Sequence, residues 1–210
     1  MLRVDPSHPT PDAMRPALCA ALVGIALPFG VLLTGCGDRE ASPTLADRAA
    51  AISGGMNIDT LDIGGRAERV GFREASGASF PLPFAARVPD PMAVTTERTP
   101  AGESVVLTAA RQGAWSLTLL PEGTDEAAAR AAADSTARTL GTPRADSSVA
   151  GAVASFQSGL GRVWLGEHAG RYYVVQSTSA TEATREAFEA RVAYVERGWT
   201  WTDDGTTLGG

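Results

Sequence analysis

The chain has 210 residues, 18 basic against 24 acidic side chains and a net charge of −6, and every basic residue is arginine. A mildly acidic surface gains nothing electrostatically from nucleic acid or anionic headgroups, and without lysine no Schiff base can form. Two cysteines and two histidines in the whole chain leave no disulfide framework and no multi-histidine metal site.

Residues 1–13, MLRVDPSHPTPDA, carry three prolines, two aspartates and one arginine, a poor start for an export signal. Met14-Arg15 is a better one. Translation is therefore expected to begin at Met14, or else the first 13 residues are a dispensable extension. Ala17 to Leu33 is a run of 17 uncharged residues broken by Gly24, Pro28 and Gly30, whereas a spanning helix needs about 20 apolar residues in a row. A secretory signal is the expected reading. It ends in Leu33-Thr34-Gly35-Cys36, which resembles the bacterial lipobox, followed by the polar Gly37-Asp38-Arg39-Glu40. The resemblance implies cleavage between Gly35 and Cys36, lipidation of the Cys36 thiol and a chain held to a membrane by its acyl chains. One acyl chain at about 0.8 kcal/mol per buried methylene holds weakly, and two or three hold firmly. Gly37, rather than an aspartate, follows the cysteine; this implies the outer membrane facing the periplasm in a two-membrane cell, and otherwise the outer face of the cell membrane. Cys19 would leave with the signal, and losing residues 1–35 removes two arginines and two aspartates, so the charge stays at −6.

Residues 36–69 are poor in aromatics, with Gly54-Gly55 and Gly64-Gly65 as breaks, and read as a flexible tether with a short helix possible over Leu45 to Ile52. The aromatic residues from Phe72 to Trp201 mark one domain, 70–202. Ser104–Ala109 and Trp115–Leu120 are β-rich, and Arg111-Gln112-Gly113 joins them as an antiparallel hairpin. Thr124 is expected to cap a helix whose inner stripe is Ala129, Ala133, Ala137 and Leu140, with Gly141 ending it. Strands follow over Ala152–Gln157, Arg162–His168 and Arg171–Ser177, joined at Gly159-Leu160-Gly161 and Ala169-Gly170. A last helix begins after Ser179, whose spacing to Glu182 fits a capping box. Its stripe of Phe188, Val192 and Val195 runs on to Trp199, with Gly198 as terminator. The expected fold class is α+β, an antiparallel β-sheet covered by two α-helices; residues 203–210 read as a disordered tail.

The stretches FPLPFAARVPDPM, SVVLTAARQGAWSLTLLPEGTDEAAARAAADSTARTL and GRYYVVQSTSATEATREAFEARVAYVERGWTW resemble the family that unites PsbP, Mog1 and DcrB with the LpqN-type lipoproteins. The likeness spans roughly residues 70 to 202 and lies in element order and pattern, the strand Arg171–Ser177 before a tryptophan-ended helix most of all. It implies a PsbP/Mog1-like sandwich that binds or assembles with other molecules, and it brings no catalytic residue, cofactor or metal.

Chemistry-bearing groups are few. His168, beside Glu167 at the Ala169-Gly170 turn, reads as an exposed turn residue in preference to a metal contact. Asp203-Asp204 reads as solvated carboxylates on the tail in preference to a cation site. A Ser-His-Asp arrangement remains arithmetically possible, but no G-x-S-x-G elbow exposes a serine. Adjacent strand residues face opposite ways, so if the helices cover one sheet face, one of Tyr172 and Tyr173 reaches a surface. Trp199 continues the core stripe. Tyr172, Tyr173 and Trp201 are the candidate partner surface, with core packing the commoner fate of such aromatics. Two function classes follow: a non-enzymatic envelope lipoprotein that binds an envelope protein or a small apolar ligand between helix and sheet, or a carboxylate- or His-dependent envelope hydrolase.

Overall fold

The computed structural model describes residues 57–99 and 101–209. The apolar run, Gly35, Cys36 and the helix expected over Leu45 to Ile52 lie outside the described residues. In chain order the elements are β1 (Asn57–Ile63), β2 (Arg66–Ser76), β3 (Phe84–Pro89), β4 (Ala93–Thr99), β5 (Gly102–Ala109), β6 (Gly113–Leu119), α1 (Glu126–Leu140), β7 (Arg144–Ala145), β8 (Ala154–Ser158), β9 (Gly161–His168), β10 (Arg171–Ser179), α2 (Glu182–Arg197) and β11 (Thr200–Trp201). The class is α+β. The described residues form two antiparallel sheets, one of four strands in the order β1-β2-β3-β11 and one of seven in the order β4-β5-β6-β10-β9-β8-β7.

The two helices lie on opposite faces of the larger sheet, and strand alternation shows why. Along β10, Val174 packs with Ala129, Ala133 and Ala137 of α1, while its neighbours Tyr173 and Val175 pack with Phe188, Val192 and Val195 of α2. The same alternation sends Val163 and Leu165 of β9 to α1 and Trp164 to α2. The three alanines are fully buried and let α1 lie close on the sheet. The larger core, on the α2 side, is closed over by the smaller sheet, since α2 packs on β1 and β3 as well as on β6 and β10. The space between α2 and the sheet is filled by Trp115, Leu117, Phe188, Val195 and Trp199, none above 1% exposed.

Within this core one carboxylate is held by three donors. Glu196 of α2 accepts from the indole N–H groups of Trp115 and Trp164, both at 3.3 Å on Oε1, and from Arg162 at 2.9 Å on Oε2. Paired and hydrogen-bonded, the charge avoids the penalty an isolated buried carboxylate would carry.

Both helices begin one or two residues later than the sequence suggests. The hydroxyl of Thr124 donates to the Pro121 carbonyl, and Asp125 caps α1 by accepting from the Ala128 N–H at 2.7 Å; a carboxylate adds favourable charge at the helix N-terminus. Ser179 is still the last residue of β10, opposite Gly113. Thr181 caps α2, with Thr184 completing the capping box. Gly141 and Gly198 end the helices as expected.

Residues 57–69 are strand and not tether. Gly64-Gly65, read as a break, is the two-residue turn of the β1–β2 hairpin, with φ of 62° and 75°, the left-handed pair that suits a type I′ turn. Leu61 and Val70 pack under Tyr194 of α2, which gives the hairpin a buried face. The expected tail is folded as well. The Trp201 N–H donates to the Thr206 carbonyl at 2.8 Å, the Gly205 N–H to the Trp201 carbonyl at 2.9 Å and the Thr202 N–H to the Pro83 carbonyl at 2.9 Å. Leu208 packs against the larger core.

Candidate functional site

The β9–β10 hairpin turns on Ala169-Gly170, both at positive φ. That tight turn sets His168 opposite Arg171 as the last pair of the ladder. Counting back by two from His168 passes Gly166, Trp164 and Arg162, so His168 stands on the sheet face that carries α2. There its ring stacks on Trp201 of β11, with centroids 4.8 Å apart and planes 9° from parallel. Trp201 in turn meets Trp199 and Tyr173, at 5.6 and 5.4 Å.

The loop from Trp201 to Thr206 brings two carboxylates to the same imidazole. His168 Nε2 lies 2.9 and 3.0 Å from the two oxygens of Asp203 and 4.0 Å from Oδ1 of Asp204. Thr206 completes the group: its N–H and its hydroxyl both donate to Asp204 Oδ1, at 2.8 and 2.7 Å, and its oxygen is 3.4 Å from His168 Nδ1. These two bonds from Thr206 hold the Asp204 carboxyl below the usual carboxylate range. The His168 side chain is 8% exposed, against 38% for Asp203 and 49% for Asp204. A buried imidazole thus stands behind two carboxylates that reach water. In front of it is a shallow cleft of about 330 Å³ lined by Glu167, His168, Ala169, Trp201, Asp204 and Thr206.

Two expectations are corrected. His168 is not an exposed turn residue, and Asp203-Asp204 is not on a free tail; β11 pairs with β3 and carries the two aspartates back over the end of β9. The proposed aromatic surface also fails. Tyr173 and Trp201 are each 1% exposed, and burial pushes the Tyr173 phenol up to about 12 against a weaker opposing hydrogen bond at the Gly209 backbone. Tyr172 is half-buried beside the α1 core; burial, then the neighbouring Glu167, raises its pKa. The sheet is covered on both faces, so neither tyrosine of the pair is left for a partner in the way one covered face would require.

In sequence His168 and Asp203 are separated by 35 residues, and no local pattern joins them. Comparisons of the chain with protein-family models, with curated proteins and with solved structures each found no match.

Proposed function

We propose that the protein is an envelope lipoprotein, exported by residues 1–35, cut between Gly35 and Cys36, held to a membrane by acyl chains on Cys36, and carrying a PsbP/Mog1-like domain that binds an envelope protein without catalysing a reaction. The observation that carries this reading is the order of an uncharged run, Leu33-Thr34-Gly35-Cys36 and a polar segment. Among the described residues no helix is long and apolar enough to cross a membrane. The domain part rests on element order: a hairpin, a helix, a three-stranded meander and a final helix running into Trp199. Of the two ligand classes, a protein partner is favoured, because side chains fill the space between α2 and the sheet.

Among the described residues the Asp203–His168–Thr206 line is the arrangement that favours a hydrolase. Thr206 makes a poor nucleophile there, since its hydroxyl proton is directed at Asp204, 2.7 Å away, and not at the imidazole 3.4 Å away. The anchoring is tested with Cys36→Ser: labelled fatty acid should disappear and the uncleaved precursor accumulate, and unchanged labelling would sink the reading. Capture of the lipidated protein from detergent-solubilised envelope should bring down a stoichiometric protein partner. An ester hydrolysis that the purified protein performs and His168→Gln removes would replace the binding module with the hydrolase.

A further inference from the structure

His168 Nε2 and the carboxylates of Asp203 and Asp204 converge beside the cleft. Thr206 has one hydroxyl proton, and Asp204 Oδ1 at 2.7 Å takes it ahead of His168 Nδ1 at 3.4 Å. The Thr206 oxygen then faces Nδ1, at 3.4 Å, as an acceptor for the tautomer that carries its proton there. In that tautomer the Nε2 lone pair faces Asp203, whose oxygens, at 2.9 and 3.0 Å, can only accept. That pairing takes a positive centre on or beside Nε2, either a proton, which makes an ordinary histidine–aspartate bond, or a metal ion.

We propose that His168, Asp203 and Asp204 bind one divalent transition cation of the zinc class, through Nε2 and one oxygen of each carboxylate, with water from the cleft in the remaining position. One donor atom from each residue lies within 4.8 Å of the others. Ligands about 2.0 to 2.2 Å from a tetrahedral ion are about 3.4 Å from one another, and the spacings from Nε2 to the two aspartates, 2.9 and 4.0 Å, bracket that value. An imidazole with two carboxylates suits zinc, cobalt or manganese, whereas magnesium and calcium prefer oxygen alone. The surroundings suit a metal-binding histidine: the ring is held flat on Trp201, and a hydroxyl oxygen stands 3.4 Å from its second nitrogen. The ligands come from the end of β9 and from the loop after β11, which meet only on folding, so the ion binds the folded chain and stabilises it. This site stands independently of the envelope reading.

The test uses the full chain, stripped of metal with chelator and titrated with Zn²⁺ alone, with calorimetry and the thermal midpoint as readouts. Wild type should bind one equivalent saturably, and Tm should rise by about 5 to 10 °C at a hundredfold excess over Kd. The isosteric Asp203→Asn/Asp204→Asn double variant should lose at least tenfold in affinity while its metal-free far-ultraviolet spectrum matches wild type; His168→Gln should do the same. Absence of a saturable equivalent in wild type would overturn the proposal and leave a proton as the cation between Nε2 and Asp203. Binding that survives unchanged in the double variant would overturn it too, by placing the ion elsewhere on the chain.

Discussion

Tyr173 of β10 lies over Gly166, its directly paired neighbour in β9. A methyl group on Gly166 would come within 2.3 Å of the tyrosine ring and 2.4 Å of its hydroxyl oxygen. The glycine is thus what admits a large ring at the centre of the aromatic core, between Trp164 and Trp201. Gly166→Ala should lower stability by about 1 to 3 kcal/mol, the usual cost of overpacking. A urea unfolding midpoint equal to wild type would show that the ring moves aside freely.

Removing the Glu196 carboxylate leaves two indole N–H groups and the Arg162 guanidinium without their shared acceptor. Glu196→Ala should cost about 2 to 4 kcal/mol, because both the unsatisfied donors and the uncompensated charge are largely shielded from water. Glu196→Gln, which keeps an acceptor oxygen for the indoles, should cost about 1 kcal/mol. Equal losses in the two variants, measured by urea unfolding, would mean that the ion pair with Arg162 carries the whole interaction.

With no lysine in the chain, its three tyrosines dominate the titration between pH 10 and 12. Burial, first among its causes, pushes Tyr173 up to about 12 from 10.0. Tyr194 rises to about 12 through burial and through its hydroxyl donating to Asp59. Below pH 10 folded and unfolded chains both keep these protons, so the phenols lend no pH dependence. From pH 10 to about 12 the unfolded chain releases them first, so stability falls across that window and levels above it. For Tyr173 the loss should be about 2 to 3 kcal/mol. Tyr173→Phe should flatten its share of the decline, followed as unfolding midpoints between pH 8 and 12; an undiminished slope would refute the assignment.

A chain ending at Thr202 should be less stable by about 2 kcal/mol or more, since it loses the Thr206 partner of the Trp201 backbone and the apolar contacts of Leu208. Trp201 emission should shift to the red as water reaches a ring now 1% exposed. Unchanged emission and stability would return residues 203–210 to the status of an inert tail.

What could be read from the sequence alone was whatever depends on neighbours in the chain. The β5–β6 hairpin, the alanine stripe of α1, the β8–β9–β10 meander and the α2 stripe ending at Trp199 were all legible, because period, turn chemistry and helix ends are set within a few residues. The helix caps were shifted only because Asp125 and Thr181 compete locally with Thr124 and Ser179 for the same task. The β1–β2 hairpin was missed for a different reason: its outward face is charged, and its buried face, Leu61 and Val70, shows its value only against Tyr194, more than a hundred residues on. Which faces of the sheet are covered was likewise undecidable from alternation, and on it turned the fate of Tyr172 and Tyr173. The site itself belongs wholly to the tertiary structure. In sequence His168 and Asp203-Asp204 are separate candidates, each with a plainer reading; they become a cluster because the short pairing of β11 with β3 folds the chain end over β9, and because burying Trp201 against the imidazole fixes the ring where two carboxylates can face it.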